Sequence, residues 1–368
     1  MGNYIVDIND LIENIHTIQS IAQQVPIWAV VKGNGYGLGI NAVVSTLFAQ
    51  GIQQFCVSEL EDVGAIRETC GAQVQILMLQ PTTDPKILSE LIRMDAICTV
   101  SSWEDAVKLN NAALDFNKKA KAHLKIDTGM GRYGFTENEL PQIRNIYQYL
   151  DSITILGTYT HFASSYKKKP TKRQYARFLH ILEQIRSSGF DPGVCHCCNS
   201  AAFFQYPEMH MDGVRIGSAF LGRMTIESVK GLHKIGCCES RIEELHHLRS
   251  GMTTGYGGTW KAKRFTTLAI VPIGWYHGFC TQHNSTCSQF RSCLARCICL
   301  VKSFLRHQRV WVTINGKECP VCGRVGMLHT AIDVTDIKCS IGDKVTLDIN
   351  PLLQKGLPVG YRATKGHR

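Results

Sequence analysis

The chain has 368 residues, 44% hydrophobic and 19% charged, with a formal net charge of +10. That length suits two domains, the absence of any run of about 18 apolar residues excludes a membrane span, and the start, Met1-Gly2-Asn3-Tyr4, lacks the basic-then-apolar order of a signal peptide. The densest basic stretch, Lys167, Lys168, Lys169, Lys172 and Arg173, is split by Pro170, which reads as a solvated surface and excludes a nucleic-acid footprint.

The first predicted element is a helix. Leu11, Ile12, Ile15, Ile18 and Ile21 share a face, opened by Asp10 with Glu13 three residues on. Next, an apolar strand, Ile27–Val31, delivers Lys32 into the glycine-rich loop Gly33-Asn34-Gly35-Tyr36-Gly37-Leu38-Gly39. A partly buried amine there has its charged form disfavoured and its nucleophilicity toward a carbonyl raised. The pattern of β-branched run, polar break and amphipathic stretch then repeats. Further strands are expected at Phe55–Val57, Val74–Leu79, Ala96–Val100, Ala122–Ile126, Ile153–Tyr159, Val194–Cys198 and Gly213–Ile216. Helix-start signals such as Ser58-Glu59-Leu60-Glu61 and Ser101-Ser102-Trp103-Glu104 lie between them. Eight strand–helix units predict an α/β fold, a (β/α)8 TIM barrel over residues 1–231.

From about Leu232 the texture changes. Short strand-like runs (Leu268–Ile273, Val310–Ile314, Lys344–Leu347) alternate with turns such as Asn315-Gly316, a hairpin signal. Residues 232–368 are therefore expected to form a smaller all-β domain, with a Cys-rich insertion at about 280–309. The chain carries 16 cysteines. Without a secretion signal they read as reduced thiols of a cytoplasmic protein. Cys319-Pro320-Val321-Cys322 is one C-x-x-C half-site, and Cys297 with Cys299 lacks the matching spacing, so no metal site is expected.

Polar groups gather where the barrel strands end, the rim on which barrel chemistry sits. Lys32 follows strand 1. Lys125 to Arg132 follow strand 5, and Thr160-His161 strand 6. Asn199-Ser200 follow strand 7, and strand 8 carries Arg215, Gly217 and Ser218. Ser200 with the amides of Gly217 and Ser218 suits a phosphate. Arg132 offers a fork for a carboxylate or phenolate.

The segments Ala29–Gly39, Lys125–Phe135, Thr160–Ala163, Asn199–Ala202, Val214–Gly222, Gly255–Gly258 and Gly323–Met327 together resemble the alanine racemase family, in order, from about Ile5 to Asp343. The resemblance implies pyridoxal 5'-phosphate (PLP) held by Lys32 as a Schiff base, with Lys32 also one catalytic base. It implies Tyr36, Ser200, Gly217 and Ser218 on the phosphate. Arg215 would face the pyridine nitrogen, and His161 would bridge Arg215 to the second base. Arg132 would hold substrate and cofactor oxygens. A homodimer is implied, with Met327 reaching the site from the partner subunit. An arginine does not pass its proton to the ring, which biases the chemistry toward racemisation of a small amino acid, alanine above all.

The block Gly274-Trp275-Tyr276-His277-Gly278 departs from the family, whose second base is a tyrosine where this chain has Trp275. Tyr276 is the candidate to replace it, although on a strand it would point to the opposite face. Leu38 and Leu328 stand where the family has histidine and aspartate, and Tyr361 is a loose counterpart of a late phosphate-binding tyrosine. Two readings follow: an amino-acid racemase with Tyr276 as second base, or a catalytically impaired PLP-binding paralogue with a carrier or regulatory role. Decarboxylation is disfavoured, because those relatives place an acidic group where Arg215 stands.

Overall fold

The computed structural model describes residues 2–224, 229–281 and 310–363. Most of the Cys-rich insertion, including Cys287, Cys293, Cys297 and Cys299, lies outside the described residues. The chain divides into two compact units, one built on Ile8–Ile235 and one on Met1–Asp7 with Gly236–Arg362.

The larger unit is the expected barrel. After the first strand of the chain, β1 (Asn3–Asp7), come β2 (Ile27–Val30), β3 (Gln54–Val57), β4 (Gln75–Met78) and β5 (Ile97–Val100), then β6 (Ala120–Ile126), β7 (Ile153–Thr160), β8 (Val194–His196) and β9 (Val214–Ile216). Strands β2 to β9 are parallel, in the order β8-β7-β6-β5-β4-β3-β2-β9. A bridge between His196 and Gly213 closes the ring, helped by Arg215 N–H donating to Cys198 C=O at 3.0 Å. The interior holds Trp28, Cys56, Leu77, Ile97 and Tyr159, all buried. Apolar strands of four residues or so suit this setting, since a parallel barrel strand is covered on both faces.

Local chemistry starts several helices where the sequence signals them. Ser102 Oγ accepts from Asp105 N–H at 3.1 Å ahead of helix Trp103–Asp115. Asp84 accepts from Lys86 N–H at 2.8 Å before Pro85–Arg93. The first helix differs from expectation. It runs Ile8–Ala22, so Asp10 sits inside its first turn and is not its cap. No helix among the described residues is long and apolar enough to cross a membrane.

Among its described residues the smaller unit is all-β apart from short turns. Its strands are β10 (Gly236–Arg241), β11 (Glu244–Leu248), β12 (Thr253–Thr254), β13 (Trp260–Lys261) and β14 (Thr266–Val271), then β15 (Trp311–Ile314), β16 (Lys317–Cys322), β17 (Thr330–Asp333), β18 (Lys344–Leu347) and β19 (Val359–Arg362). Nine of the chain's strands form one sheet, β11-β14-β17-β16-β15-β18-β10-β1-β19. The expected hairpin at Asn315-Gly316 joins β15 and β16 in register, Ile314 opposite Lys317. Residues 1–7, expected with the barrel, instead give this sheet a strand: β1 pairs antiparallel with β10 and parallel with β19. Tyr4 and Val6 alternate inward along it, but alternation identifies a strand without naming its sheet.

A second correction concerns Trp275 and Tyr276. Residues Trp275–His277 form a single 3-10 turn, not a strand, so strand alternation does not govern their directions. Gly274 permits this turn to lie against Gly326-Met327, since a Cβ there would stand 2.3 Å from both carbonyl oxygens. Trp275 and Tyr276 N–H groups donate to the Gly326 and Met327 carbonyls, each at 3.0 Å. Two blocks far apart in sequence thereby become neighbours.

Candidate active site

The rim at the C-terminal ends of the barrel strands brings the candidate residues together. Lys32 opens a left-handed turn, with φ positive at Gly33, Asn34, Gly35, Tyr36 and Gly37. Glycine adopts this conformation freely, whereas Asn34 and Tyr36 each lose about 1 kcal/mol in it. The structure holds them there by hydrogen bonds. Asn34 Oδ1 accepts from Ile40 N–H at 2.8 Å, and Gly37 N–H reaches Gly33 C=O at 2.9 Å. Lys32 is open to the mouth, yet surrounding protein and the Arg132 charge lower its pKa, opposed by the Glu59 carboxylate. The expected depression of this amine is thus present, with burial its largest cause.

Tyr36 lies across β9. A Cβ on Gly217 would fall 2.1 Å from its hydroxyl, so glycine there makes room for the phenol. Burial pushes Tyr36 up to about 12, which keeps it a hydrogen-bond donor. Ser200 Oγ accepts from Gly217 N–H at 3.0 Å and Ala219 N–H at 3.4 Å. Gly217 N–H is therefore committed to Ser200, a departure from the expectation that it meets a ligand directly. Among the described residues the hydroxyl hydrogens of Tyr36 and Ser200 remain to donate, whereas Ser218 Oγ donates to Met224 Sδ at 3.8 Å.

Arg215 is buried, with no carboxylate paired to it among the described residues. Nη1 donates to His196 Nδ1 at 2.6 Å and His196 C=O at 3.1 Å. Nη2 donates to Thr160 C=O at 2.6 Å and Cys197 C=O at 3.4 Å. The Nε–H group has no partner among the described residues. Because arginine only donates, His196 must accept at Nδ1 and carry its hydrogen on Nε2. That hydrogen goes to His123 Nδ1, 3.0 Å away. Both rings stay neutral: burial, then the Arg215 charge, pushes His123 down to about 3 and His196 well below its ordinary value. His196 is stacked between Trp28 and Tyr159, with ring centroids 5.7 and 5.1 Å away. The histidine bonded to Arg215 is thus His196. His161, expected from the resemblance to contact Arg215, makes no side-chain hydrogen bond among the described residues, and burial with the Arg215 charge pushes it to about 3.

The loop after β6 is ordered by Asp127, whose carboxylate accepts from the amides of Gly129, Met130 and Gly131 at 2.8 to 2.9 Å. It presents Arg132 at the surface, near the Tyr133 ring at 6.0 Å. Behind it, Lys125 is buried between the Tyr133 and Tyr159 rings, 5.2 and 5.5 Å from their centroids. Burial and then Arg132 push Lys125 down to about 8. A cavity of about 450 Å³ opens beside Arg132, lined also by Thr82, Ser101, Asp105, Asp127 and Tyr133. Lys32, Lys125, Arg132 and Arg215 make the mouth cationic, a field that gathers anions. Asp10, Glu13 and His233 bring ligand-type atoms within 4.8 Å of one another, and Glu13 pairs with His233 at 3.4 Å, as solvated surface ions do.

In the smaller unit, Trp275 and Tyr276 are 49% and 37% exposed and Met327 47%, so all three are presented to the outside of that unit. The Lys355 ammonium lies 5.3 Å from the Tyr276 ring centre. The sequence reading missed His123, His196, Asp62 and Glu59. The first two had a signal: a polar residue inside an apolar strand must find a buried partner.

The family model for the alanine racemase N-terminal domain matches residues 6–224, and that for the C-terminal domain matches 237–354. An alanine racemase of Clostridium perfringens is 30% identical over 93% of this chain and 84% of its own length. The structure of alanine racemase from Acinetobacter baumannii is similar with a TM-score of 0.80 at 26% identity, covering 99% of each chain. That of alanine racemase from Bartonella henselae with covalently bound pyridoxal phosphate has a TM-score of 0.81 at 21% identity, covering 98% of this chain and 99% of its own. The two matched domains cover most of the chain in the order of its two units: the chain belongs to the alanine racemase family.

Proposed function

We propose that this protein is a PLP-dependent isomerase that interconverts L- and D-alanine, or another small amino acid, by moving the α-proton between two bases. The observation that carries this reading is a single rim holding a lysine of lowered pKa, a cluster of neutral hydroxyl donors, and a buried arginine with one uncommitted donor. These fit PLP by chemistry. Lys32 would offer the amine, the Tyr36 and Ser200 hydroxyls and the Ser218 amide the phosphate donors, and Arg215 Nε–H a hydrogen bond to the pyridine nitrogen. PLP, when bound, supplies an electron sink that makes the substrate α-proton removable. Arg215 keeps its proton, fixed by His196, so the ring nitrogen receives a hydrogen bond without a charge. Lys32 takes or returns the proton on one face at Nζ. Arg132 and the cationic mouth hold the substrate carboxylate, and neutral His161 adds no competing charge. A homodimer completes the site, the second copy supplying Tyr276 for the other face and backbone from Met327.

A second reading, an impaired PLP-binding paralogue, is favoured by Trp275 alone, since indole is no base. The discriminating experiment follows L-alanine with PLP-loaded protein in deuterated water, reading chirality and α-proton exchange together. Exchange with inversion is the expected result. Exchange without inversion means Lys32 works alone and the second reading holds, and the absence of both rejects the racemase.

Gly217→Ala tests the phosphate cradle. The added methyl, 2.1 Å from the Tyr36 hydroxyl, forces that phenol aside. PLP affinity is expected to fall about tenfold, the loss of about 1.4 kcal/mol, in an absorbance titration. Unchanged affinity would remove Tyr36 from the phosphate.

A further inference from the structure

The left-handed turn carrying Lys32 begins, as a helix does, with amides that have no acceptor within the turn. Two carboxyls from the next strand–helix unit meet them. Gly33 N–H donates to Glu59 Oε2 at 3.1 Å. The amides of Gly33 and Asn34 also face Asp62, whose side chain bonds to Glu59. Asp62 is only 6% exposed, and its Oδ2 is buried without a donor. Two ionised carboxylates cannot bond each other, because each only accepts. A proton on Asp62 resolves both the contact and the orphaned oxygen.

Lys32, on the turn itself, is the cation that meets Glu59; the other elements packed on this helix supply none that pairs with Asp62 among the described residues. Helix Ile40–Ala49 packs against this helix and carries no charged residue, and neither does β4. On the other neighbour, Pro85–Arg93, Glu90 and Arg93 pair with each other and Lys86 is the remaining charge. On its own helix, Arg67 is spent on the carbonyls of Met94, Gly71 and Val74, while Glu61 and Glu68 add negative charge. Burial first, then Glu59, pushes Asp62 up to about 6.

We propose that Glu59 and Asp62 share a proton and together hold the left-handed turn that presents the Lys32 amine, acting as positioning residues for the reaction. Glu59 has a second effect: its charge opposes the burial and the Arg132 charge that lower Lys32. The pair deepens the racemase reading and rests on it only in taking Lys32 as the reacting amine. Its tests need no turnover, so their failure is distinguishable from failure of that reading.

The sign of the pH effect follows from the raised carboxyl. A folded-state value above the unfolded one gives stability that is complete at low pH and lost as pH rises through about 6. Asp62→Asn mimics the protonated form at every pH, its amide donating to Glu59. Thermal unfolding of the full chain, with and without PLP, is therefore expected to show a Tm advantage of Asp62→Asn over the parent that grows from pH 5 to pH 7.5. Glu59→Gln should flatten the parent's own dependence over the same range. The third measurement is the titration of Lys32 in full-length protein stripped of PLP and 13C-methylated, its resonance assigned by loss in Lys32→Arg. Glu59→Gln should move the Lys32 midpoint down, and Asp62→Asn, which leaves Glu59 charged, should not. A Tm difference that does not change with pH, or a Lys32 midpoint unmoved by Glu59→Gln, overturns the proposal.

Discussion

Lys32→Ala is expected to lower amino-acid racemisation by about 10³-fold or more, the scale on which removal of a group that both bonds and moves a proton eliminates turnover. The same variant should retain no PLP after borohydride reduction, whereas the parent should retain it. The basis is local. The left-handed turn fixes one amine at the rim, and protein around it lowers its pKa. Lys125 is the other lysine with a lowered pKa on that rim, but it is buried between two rings and has no open approach. Retention of PLP by Lys32→Ala would transfer the bond to another lysine and remove Lys32 from the chemistry. Folding should be little changed, because the turn's hydrogen bonds come from its backbone, Asn34 and Glu59, and none from the Lys32 side chain.

The second large effect concerns the other face of the substrate. If Tyr276 is the second base, Tyr276→Phe should reduce racemisation about 10²-fold, the usual scale for a positioned general base. Trp275→Tyr should then change little. The structure removes one objection to Tyr276, for the turn Trp275–His277 does not impose the opposite facing of strand neighbours. It also holds the Tyr276 ring, beneath Lys355 and edge-on to His277 at 5.4 Å, and leaves the phenol oxygen without a hydrogen-bond partner among the described residues. Trp275, half exposed, has no comparable restraint. The reverse result, a gain of racemisation in Trp275→Tyr with Tyr276→Phe silent, would assign the limitation to the missing phenol. If neither variant changes the rate, the second base lies elsewhere.

Much of this protein was legible from its residues. Eight apolar runs spaced by amphipathic stretches define eight parallel strands, because a strand covered on both faces has little use for polar side chains. The change to short runs and N-G turns marks the all-β unit. Lys32, Tyr36, Ser200, Arg215 and Ser218 are picked out as candidates by one rule, that barrel chemistry sits where strands end.

What tertiary structure decided were the partners. No strand is read ahead of the first helix, and Asn3–Asp7 becomes one through hydrogen bonds to β10 and β19, far along the chain. His196 lies close to Arg215 in sequence, yet its role depends on a barrel that stacks it between Trp28 and Tyr159 and turns its Nδ1 toward the guanidinium. Glu59 and Asp62 read as ordinary residues near the start of an amphipathic helix until the fold lays them against the amides of the Lys32 turn. Trp275 and Tyr276 look like strand neighbours until the close approach of Gly274 to Gly326 and Met327 folds them into a turn. Periodicity records which residues are buried, since burial acts on each residue separately. Hydrogen-bond partners and protonation depend on distances between segments far apart in the chain, and only the folded molecule fixes those distances.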